Sequence, residues 1–209
     1  MRRILWGRAT SSNVMKVLWG LAELSLEFER MDVGGPFGKT DTPEYRAMNP
    51  TGLVPTLQED DFTLWESNVI LRYLCHAHAA HSALWPQDPR TRANIDRWMD
   101  AQQTVQNRPA GILFLGLIRT PPEKRDMAAI KLAIQDTAKA YGIIAAELAK
   151  HPYIAGDHFT LADIPWGVHV HRWFNMEFDR PDVPHLREWY ERLKERPGYR
   201  QHIVSCKIV

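Results

Sequence analysis

Cysteine and net charge are both scarce in this chain of 209 residues. Its 2 cysteines, Cys75 and Cys206, are too few for a disulfide framework and lack the paired spacing of a zinc site. The 26 Lys and Arg residues nearly balance the 25 Asp and Glu residues, which leaves a formal net charge of +1. A protein that binds nucleic acid usually carries a large basic excess, because its affinity comes from neutralising phosphates. The composition therefore excludes a disulfide scaffold and predicts no nucleic-acid partner.

Long apolar runs are also missing. No stretch approaches the ~20 apolar residues that a membrane span needs. The N-terminus has an apolar run of only four residues, Ile4 to Gly7, and so it lacks the core of a signal peptide. With few cysteines and no membrane partner predicted, we expect a cytoplasmic protein.

The histidines do not form a metal-binding pattern. His76, His78 and His81 are close in sequence, as are His169 and His171. Metal ligands on one helix lie three or four residues apart, and only His78 and His81 meet that spacing. No carboxylate or thiolate is suitably placed beside them, so the sequence predicts no metal.

Hydrophobic periodicity divides the chain into two parts. Residues 1–81 alternate strand and helix patterns in the order β-α-β-(loop/α)-β-β-α. After a segment rich in Pro and Asp, residues 88–209 show almost only helical periodicity. We expect an α/β domain followed by an all-helical domain. The predicted elements are strands at 2–6 and 27–33, a hairpin around 59–61, and helices at 13–24, 66–78, 90–108, 123–150, 161–174 and 184–196.

Two segments have the Thr-x-x-acid form of a helix capping box. In this arrangement the Thr hydroxyl accepts from a backbone N–H of the first turn, and the acidic side chain accepts from the N–H of the Thr. The pairs are Thr120 with Glu123 and Thr160 with Asp163. Both predict helix starts rather than chemistry.

Val54 and Pro55 precede a predicted strand. Proline cannot donate to a sheet ladder, so Pro55 indicates an edge position or a special turn with a cis peptide bond. Val54 is restricted to an extended conformation, and its free N–H and C=O could pair with an extended, peptide-like ligand. A plain turn before a strand is the alternative interpretation.

Two predicted helix starts favour an anion, because unpaired N–H groups and the positive end of the helix dipole lie there. At one of them Ser67 adds a hydroxyl donor and Glu66 could pair with an ammonium group. At the other, Ser11, Ser12 and Asn13 could stabilise a thiolate or another anion. Simple N-capping is the alternative at both. In a β-α-β-α-β-β-α layout these two places and the Val54–Pro55 turn share one edge of the sheet.

Six short motifs follow one another in order along nearly the whole chain. They are Gly7-x-x-x-Ser11-x-Asn13, Asn49-Pro50-x-Gly52-x-Val54-Pro55, Trp65-Glu66-Ser67, Ile70-x-x-Tyr73-Leu74, Phe159-Thr160-x-Ala162-Asp163 and Arg196-Pro197-x-Tyr199. In this order and spacing the chain resembles the cytosolic glutathione transferases, in particular the serine types of theta-like and phi-like members.

The resemblance implies a thioredoxin-like N-terminal domain, an all-helical C-terminal domain and a homodimer. Glutathione would be the co-substrate, bound in each N-terminal domain and conjugated to small hydrophobic electrophiles. Carried over to this sequence, Pro55 would be cis and the backbone of Val54 would pair with the cysteinyl unit. Glu66 and Ser67 would hold the γ-glutamyl end. Another glutathione-dependent activity, such as peroxide reduction or dehalogenation, and a non-catalytic binding role are the alternatives.

The resemblance also implies which residue contacts the glutathione sulfur. In this family that residue is a Tyr, a Ser or a Cys. The first 40 residues contain neither Tyr nor Cys. Ser11 lies four residues after Gly7, as in the serine types, and is the predicted catalytic residue. Ser12, Thr10 and Asn13 are its alternatives.

The remaining site residues are expected from the same resemblance. Asn13, Lys39 and Leu53 would also contact glutathione. Lys39 occupies the place of a cation on the long loop of the family. Leu53 occupies the place of a polar residue before the Val-Pro pair. Lys39 has a solvated surface lysine as its alternative. The predicted electrophile site comprises Asn107, Phe114 and Trp166, with Gln106, Arg108, His169 and Trp173 as further candidates.

Overall fold

The computed structural model describes residues 1–209. Its sheet has four strands in the spatial order β2-β1-β3-β4. Strand β1 runs parallel to β2 and antiparallel to β3, and β3 pairs antiparallel with β4, which confirms the predicted strand-helix-strand unit and hairpin. Leu5 lies opposite Leu57, and both are fully buried. The strands are β1 (Arg3–Trp6), β2 (Glu29–Met31), β3 (Thr56–Glu59) and β4 (Phe62–Trp65).

Three helices accompany the sheet: α1 (Ser12–Glu23), α2 (Pro43–Met48) and α3 (Ser67–His78). Helices α1 and α3 pack against each other and cover one face of the sheet, because their apolar residues recur at helical spacing. The small core that they form with the sheet contains Leu5, Val14, Val17, Leu18, Leu21, Leu57, Ile70 and Leu74.

The second half begins with a long helical rod. Helices α4 (Pro89–Ala101) and α5 (Asn107–Phe114) are joined by a π-helical turn over Gln102–Gln106, and a second π-helical turn, Leu115–Arg119, follows. Pro109 has no N–H to bond to the preceding turn, so the regular α-helical ladder is interrupted there. The rod therefore runs well beyond the end predicted near residue 108.

The other helices are α6 (Met127–Leu148), α7 (Asp163–Asn175), α8 (Leu186–Lys194) and α9 (Pro197–Tyr199). The predicted capping box at Thr120 is wrong, because the Thr120 hydroxyl donates to the carbonyl oxygen of Leu115 at 3.0 Å. Helix α6 starts later, where Asp126 Oδ1 accepts from the N–H of Ala129 at 3.0 Å.

In the predicted capping box at Thr160, the hydrogen bond to the acidic side chain is confirmed. Asp163 accepts from the N–H groups of Thr160 and Ile154 and from Trp189 Nε1, at 3.0 to 3.1 Å. The Thr160 hydroxyl accepts from the N–H of Ala162 instead of that of Asp163. Burial raises the pKa of Asp163 to about 6 despite these bonds. This carboxyl thus ties the start of α7 to α8.

The large core of the helical half includes residues from α1. Trp19 is fully buried, with ring centroids 4.6 Å from Tyr199 and 5.3 Å from Phe159. Gly167 on α7 faces it so closely that a Cβ there would lie 2.7 Å from the Trp19 ring. At the end of α1, Glu23 forms an ion pair with Arg196 at 2.5 Å. Helix α1 is therefore held by both halves of the molecule.

Strand β4 ends at Trp65, α3 ends at His78, and every element from Pro89 onward is helical. The domain limits 1–81 and 88–209 stay a prediction. None of the helices combines the length and the apolar character needed to cross a membrane.

Candidate active site

The turn before β3 is held from the side of α2. Tyr45 donates its hydroxyl to the carbonyl oxygen of Leu53 at 2.7 Å, and Asn49 Nδ2 donates to the same oxygen at 2.9 Å. The peptide bond between Val54 and Pro55 is cis. Neither the N–H nor the C=O of Val54 takes part in a hydrogen bond within the chain. The turn thus presents both backbone groups of Val54 to an incoming ligand.

This turn forms one wall of a depression that we call the Val-Pro cleft. The cleft brings together six of the eight predicted glutathione-binding residues, although they come from three separate segments of the chain. It is lined by Asn13, Asn49, Thr51, Leu53, Val54, Pro55, Trp65, Glu66 and Ser67.

Two polar atoms beside the Val-Pro cleft are buried without a hydrogen-bond partner, namely Asn13 Oδ1 and Ser67 Oγ. Leaving such a group unpaired is unfavourable unless a ligand or water completes it. Glu66 adopts a positive φ of 73° just before α3, and its side chain makes no capping bond. A non-glycine residue in this conformation is strained, and such strain is concentrated at functional sites.

The chemistry of the Val-Pro cleft suits one end of an amino acid or peptide. The N-terminus of α3 and the Ser67 hydroxyl favour a carboxylate. The exposed Glu66 carboxylate favours an ammonium group next to it. An α-amino-acid group carries both charges on one carbon, and the two residues are adjacent in the chain.

Ser11 lies at the start of α1. It is the N-cap of that helix, but its hydroxyl makes no capping hydrogen bond. The residue is 9% exposed and opens into a second depression, which we call the Ser11 pocket. Asn13, two residues further, lines the Val-Pro cleft. The N-terminus of α1 therefore separates the two depressions and presents an uncommitted hydroxyl to one of them.

The Ser11 pocket has a volume of about 160 Å³ and lies between the two halves of the molecule. Its walls come from the loop after β1, from the rod of α5 with its second π-helical turn, and from α7. They consist of Arg8, Thr10, Ser11, Ser12, Asn107, Gly111, Phe114, Leu115, Arg119, His169 and Arg172.

Of the residues predicted for the electrophile site, Asn107 and Phe114 line the Ser11 pocket, and the further candidate His169 does too. Trp166 does not, and its prediction is wrong. Its side chain is fully buried and donates Nε1–H to the carbonyl oxygen of Trp98 at 2.8 Å. Trp173 is 2% exposed and also belongs to the core.

Three other predicted residues lie outside both depressions. Lys39 is exposed on the loop that follows Gly38 and lines neither of them, so its contact with a ligand stays a prediction. Arg108 lines a separate surface depression. Gln106 is buried, and its Nε2 donates to the hydroxyl of Tyr141 at 3.4 Å.

The sequence interpretation missed the positive charge around Ser11. Arg8, Arg119 and Arg172 all line the Ser11 pocket. Burial and the neighbouring charges of Arg119 and Arg8 lower the pKa of Arg172 to about 10. Burial, with the charge of Arg119, likewise lowers the pKa of Arg8. The only local sequence signal was Arg8 itself, three residues before Ser11.

Lys16 was also missed. It is fully buried on α1, and its Nζ donates to Gln102 Oε1 at 2.7 Å. Gln102 Nε2 in turn donates to Gln106 Oε1 at 2.9 Å. Burial lowers the pKa of Lys16 to about 7, and the charge of Glu66 opposes that shift. A polar chain therefore links α1 to the first π-helical turn.

No group of three or more His, Cys, Asp or Glu side chains is arranged to hold a metal ion. His78 is paired with Glu59 at 2.9 Å. Both cysteines are free, and burial raises the pKa of Cys75 to about 12. The available chemistry is that of hydroxyl donors, helix N-termini and arginines.

Fold and site together define a class. A thioredoxin-like sheet offers a cis-Pro turn to a peptide-like ligand, and an all-helical half closes a second pocket over a serine at a helix start. That arrangement defines a protein with a site for a small peptide-like ligand beside a second pocket.

Comparison with known proteins supports the class that the fold and the site define. Residues 10–77 match the family model of the glutathione S-transferase N-terminal domain, and residues 127–192 match that of the C-terminal domain. The chain is 43% identical to glutathione S-transferase GstB of Escherichia coli K12, over 96% of this chain and 97% of that protein. It is 28% identical to glutathione S-transferase 3 of Zea mays, over 98% and 94% of the two chains.

Among solved structures, the chain matches a theta class glutathione S-transferase from Xanthomonas axonopodis pv. citri with glutathione bound. The TM-score is 0.94 at 43% identity, covering 99% of both chains. The chain belongs to the glutathione S-transferase family.

Proposed function

We propose that this protein conjugates the thiolate of glutathione to small electrophiles, with Ser11 as the residue that stabilises the thiolate. The observation that carries the proposal is the unpaired Ser11 hydroxyl at the N-terminus of α1, between a cleft suited to a peptide and a pocket suited to a second substrate.

Glutathione is assigned to the Val-Pro cleft. The backbone N–H and C=O of Val54 would pair with the cysteinyl unit in the manner of an added strand. Ser67 and the N-terminus of α3 would take the γ-glutamyl carboxylate, and Glu66 the ammonium group beside it. Leu53 and Asn13 would complete the contact, with the buried Asn13 Oδ1 gaining a donor from the ligand.

Ser11 acts on the sulfur by electrostatics. A serine hydroxyl stays un-ionised at neutral pH and, as a neutral group, is too weak a base to take the thiol proton. Its role is therefore to donate a hydrogen bond to the thiolate. The dipole of α1 favours the same negative charge. A thiol pKa near ~8.5 leaves a few per cent of thiolate at pH 7, and a decrease of about two units makes the thiolate the majority form.

The electrophile would enter the Ser11 pocket, where Asn107 and Phe114 contribute to the walls. The thiolate attacks the electrophilic carbon, the new S–C bond forms, and the leaving group departs with the electron pair of the bond it loses. The thiol proton goes to solvent. Holding both reactants side by side supplies much of the rate enhancement.

Replacement of the catalytic hydroxyl tests this assignment. We expect Ser11→Ala to lower kcat for 1-chloro-2,4-dinitrobenzene roughly 100-fold, the loss typical of a preorganised donor to a developing or stabilised anion. Retention on glutathione-agarose and the KM for glutathione should change little. Ser205→Ala is the matched control, because that serine lies near the C-terminus and bonds only to the carbonyl oxygen of Gln201.

Unchanged turnover of Ser11→Ala would transfer the role to Ser12, Thr10 or Asn13. Binding of glutathione without turnover of any electrophile would favour a non-catalytic binding protein. Turnover of peroxides or release of halide from alkyl halides, without conjugation of the aromatic substrate, would favour the alternative glutathione-dependent activities.

The cytoplasmic location and the homodimer belong to the same proposal. Free cysteines are consistent with a reducing compartment. The charge distribution supports self-association, because residues 1–80 hold 8 Lys and Arg against 10 Asp and Glu, whereas the rest of the chain is slightly basic. A monomer in small-angle scattering at assay concentration would contradict the dimer.

A further inference from the structure

We infer that the Ser11 pocket selects small electrophiles that carry a negative charge, with Arg119 and Arg8 as the residues that recognise it. The inference rests on the proposed function, since it names the substrate class of the same site. The arginines come from three separate elements: Arg8 from the loop after β1, Arg119 from the second π-helical turn, and Arg172 from α7.

None of these arginines is neutralised within the chain. No Asp or Glu lines the Ser11 pocket, and Arg8, Arg119 and Arg172 take part in no ion pair. Elsewhere some arginines are paired with acids, as Arg3 is with Glu59 and Arg196 with Glu23, and others, such as Arg125, donate to backbone carbonyl oxygens. Clustered cations without counter-charge repel one another, and an anion between them relieves that repulsion.

Buried nitrogen atoms in the Ser11 pocket also lack hydrogen-bond partners. Arg8 Nε is buried without a partner. His169 is 5% exposed, and its Nε2 is also buried without a partner. Arg119 makes no hydrogen bond. A guanidinium has five N–H donors, which match the oxygens of a carboxylate, sulfonate or phosphate. The pocket thus holds more donors than the protein itself can satisfy.

Arg172 is already fixed in position. Its NH2 group donates to the carbonyl oxygen of Thr10 at 3.0 Å, and its guanidinium lies 4.1 Å from the centroid of the Phe114 ring. Arg119 lies over the same ring at 5.8 Å. Phe114 therefore provides a flat apolar surface with cations on it, close to Ser11. Such a surface can hold the body of a small molecule while its charged end meets the arginines.

Two other roles for this charge can be separated by experiment. The arginines could bind a carboxylate of glutathione, but the Val-Pro cleft shares no lining residue with the Ser11 pocket. They could also stabilise only the thiolate. Loss of thiolate stabilisation would slow all electrophiles equally, whereas loss of substrate recognition would slow only the anionic ones.

Iodoacetate and iodoacetamide form the required pair. Both react at the same carbon: the glutathione thiolate forms an S–C bond, the C–I bond breaks, and iodide leaves with its electrons. Only iodoacetate is an anion. The measured quantity is kcat/KM for each reagent, divided by the uncatalysed second-order rate constant with glutathione at the same pH. For the wild-type protein we expect this ratio to be larger for iodoacetate.

Arg119→Gln is the first variant, because Arg119 is exposed and its loss removes no hydrogen bond. We expect its kcat/KM for iodoacetate to fall roughly tenfold or more, the factor typical of losing a hydrogen bond to a charged group. The value for iodoacetamide should stay within about twofold, and Arg119→Lys should recover part of the loss. Arg8→Gln should show the same selective loss. Arg90→Gln, an exposed arginine of α4 without ion pairs, is the matched control.

Equal losses for both reagents, a change confined to the KM for glutathione, or a wild-type ratio that favours iodoacetamide would overturn the inference. Each of these results leaves the proposed function intact. Failure of that function would appear differently, as absence of catalysis with either reagent and with 1-chloro-2,4-dinitrobenzene.

Discussion

The Val-Pro cleft and the Ser11 pocket share the N-terminus of α1 but differ in how they are built. The cleft is assembled from turns and helix starts within the first 67 residues, and Glu66 is its only charged residue. The pocket combines residues from 8 to 172 and carries three arginines. The cleft thus offers backbone groups, helix starts and one acidic side chain, whereas the pocket offers a cluster of cationic side chains.

The strongest test of this contrast is removal of the anchor beneath the cleft. Asn49 is 1% exposed, and its side chain makes four hydrogen bonds, to Leu53, Thr56 and Thr51. We expect Asn49→Ala to lower the free energy of unfolding by roughly 2–4 kcal/mol, since each lost bond contributes about 1 kcal/mol. The KM for glutathione should rise at least about tenfold, while the electrophile KM at saturating glutathione stays unchanged.

Tyr45→Phe is the milder companion of that variant, because it removes a single hydroxyl and leaves Asn49 in place. Urea denaturation measures the free energy of unfolding of each variant, and steady-state kinetics measures its KM for glutathione and for the electrophile. If Asn49→Ala altered both KM values alike, the two depressions would not be independent.

A smaller effect is expected from the buried lysine on the shared helix. Lys16 has a pKa of about 7 in the folded protein and about 10.5 in the unfolded chain. Between these values the unfolded chain binds the proton and the folded protein does not, so stability rises with pH. One proton corresponds to about 1.4 kcal/mol per pH unit. We expect Lys16→Met to remove this rise between pH 7 and 9.

Urea unfolding of the wild-type protein and of Lys16→Met at pH 7, 8 and 9 measures how the free energy of unfolding of each depends on pH. Because the charge of Lys16 interacts with Glu66 of the cleft and with Arg172 of the pocket, Lys16→Met also shows whether the two depend on one common support. Parallel stability curves for the two proteins would mean that Lys16 keeps its proton in the folded state.

The smallest expected effect concerns the hydroxyl of Ser67. It is buried and unpaired, so Ser67→Ala should leave the free energy of unfolding within about 0.5 kcal/mol or raise it. The affinity of the Ser67→Ala variant for glutathione should fall about tenfold, because a hydrogen bond to a carboxylate is lost. Isothermal titration with glutathione measures this affinity, and Asn13→Ala provides the comparison at the other buried, unpaired polar atom of the cleft. Unaltered affinity would place the γ-glutamyl carboxylate elsewhere.

Sequence predicted the cleft better than the pocket for a physical reason. The cis-Pro turn depends on local chemistry, namely the missing N–H of proline. The starts of α1 and α3 were readable from serines beside the first apolar residues at helical spacing, although neither Ser11 nor Ser67 makes a capping hydrogen bond. These signals are readable within a few residues. The order of strands and helices followed from hydrophobic periodicity in the same way.

The pocket depended on which buried side chains of α7 face a cavity and which pack in the core. Hydrophobic periodicity does not decide that, because nearly every residue of α7 is buried. Trp166 and His169 lie one turn apart on α7, yet the first packs in the core and the second lines the pocket. Two π-helical turns also shift the faces of the rod that carries Asn107, Phe114 and Arg119. Regular helical spacing therefore could not place Arg119 near Ser11.

The contact between Gly167 and Trp19 limits how the two halves of this chain can be exchanged. A chimera that joins residues 1–80 to the helical half of another family member would keep Ser11, Val54 and Pro55 intact. It would nevertheless misplace α1 if the donor half carried a side chain opposite Trp19, because a Cβ at that position would approach the ring to 2.7 Å. The reactive serine would then move with its helix, although no residue of the active site had been changed.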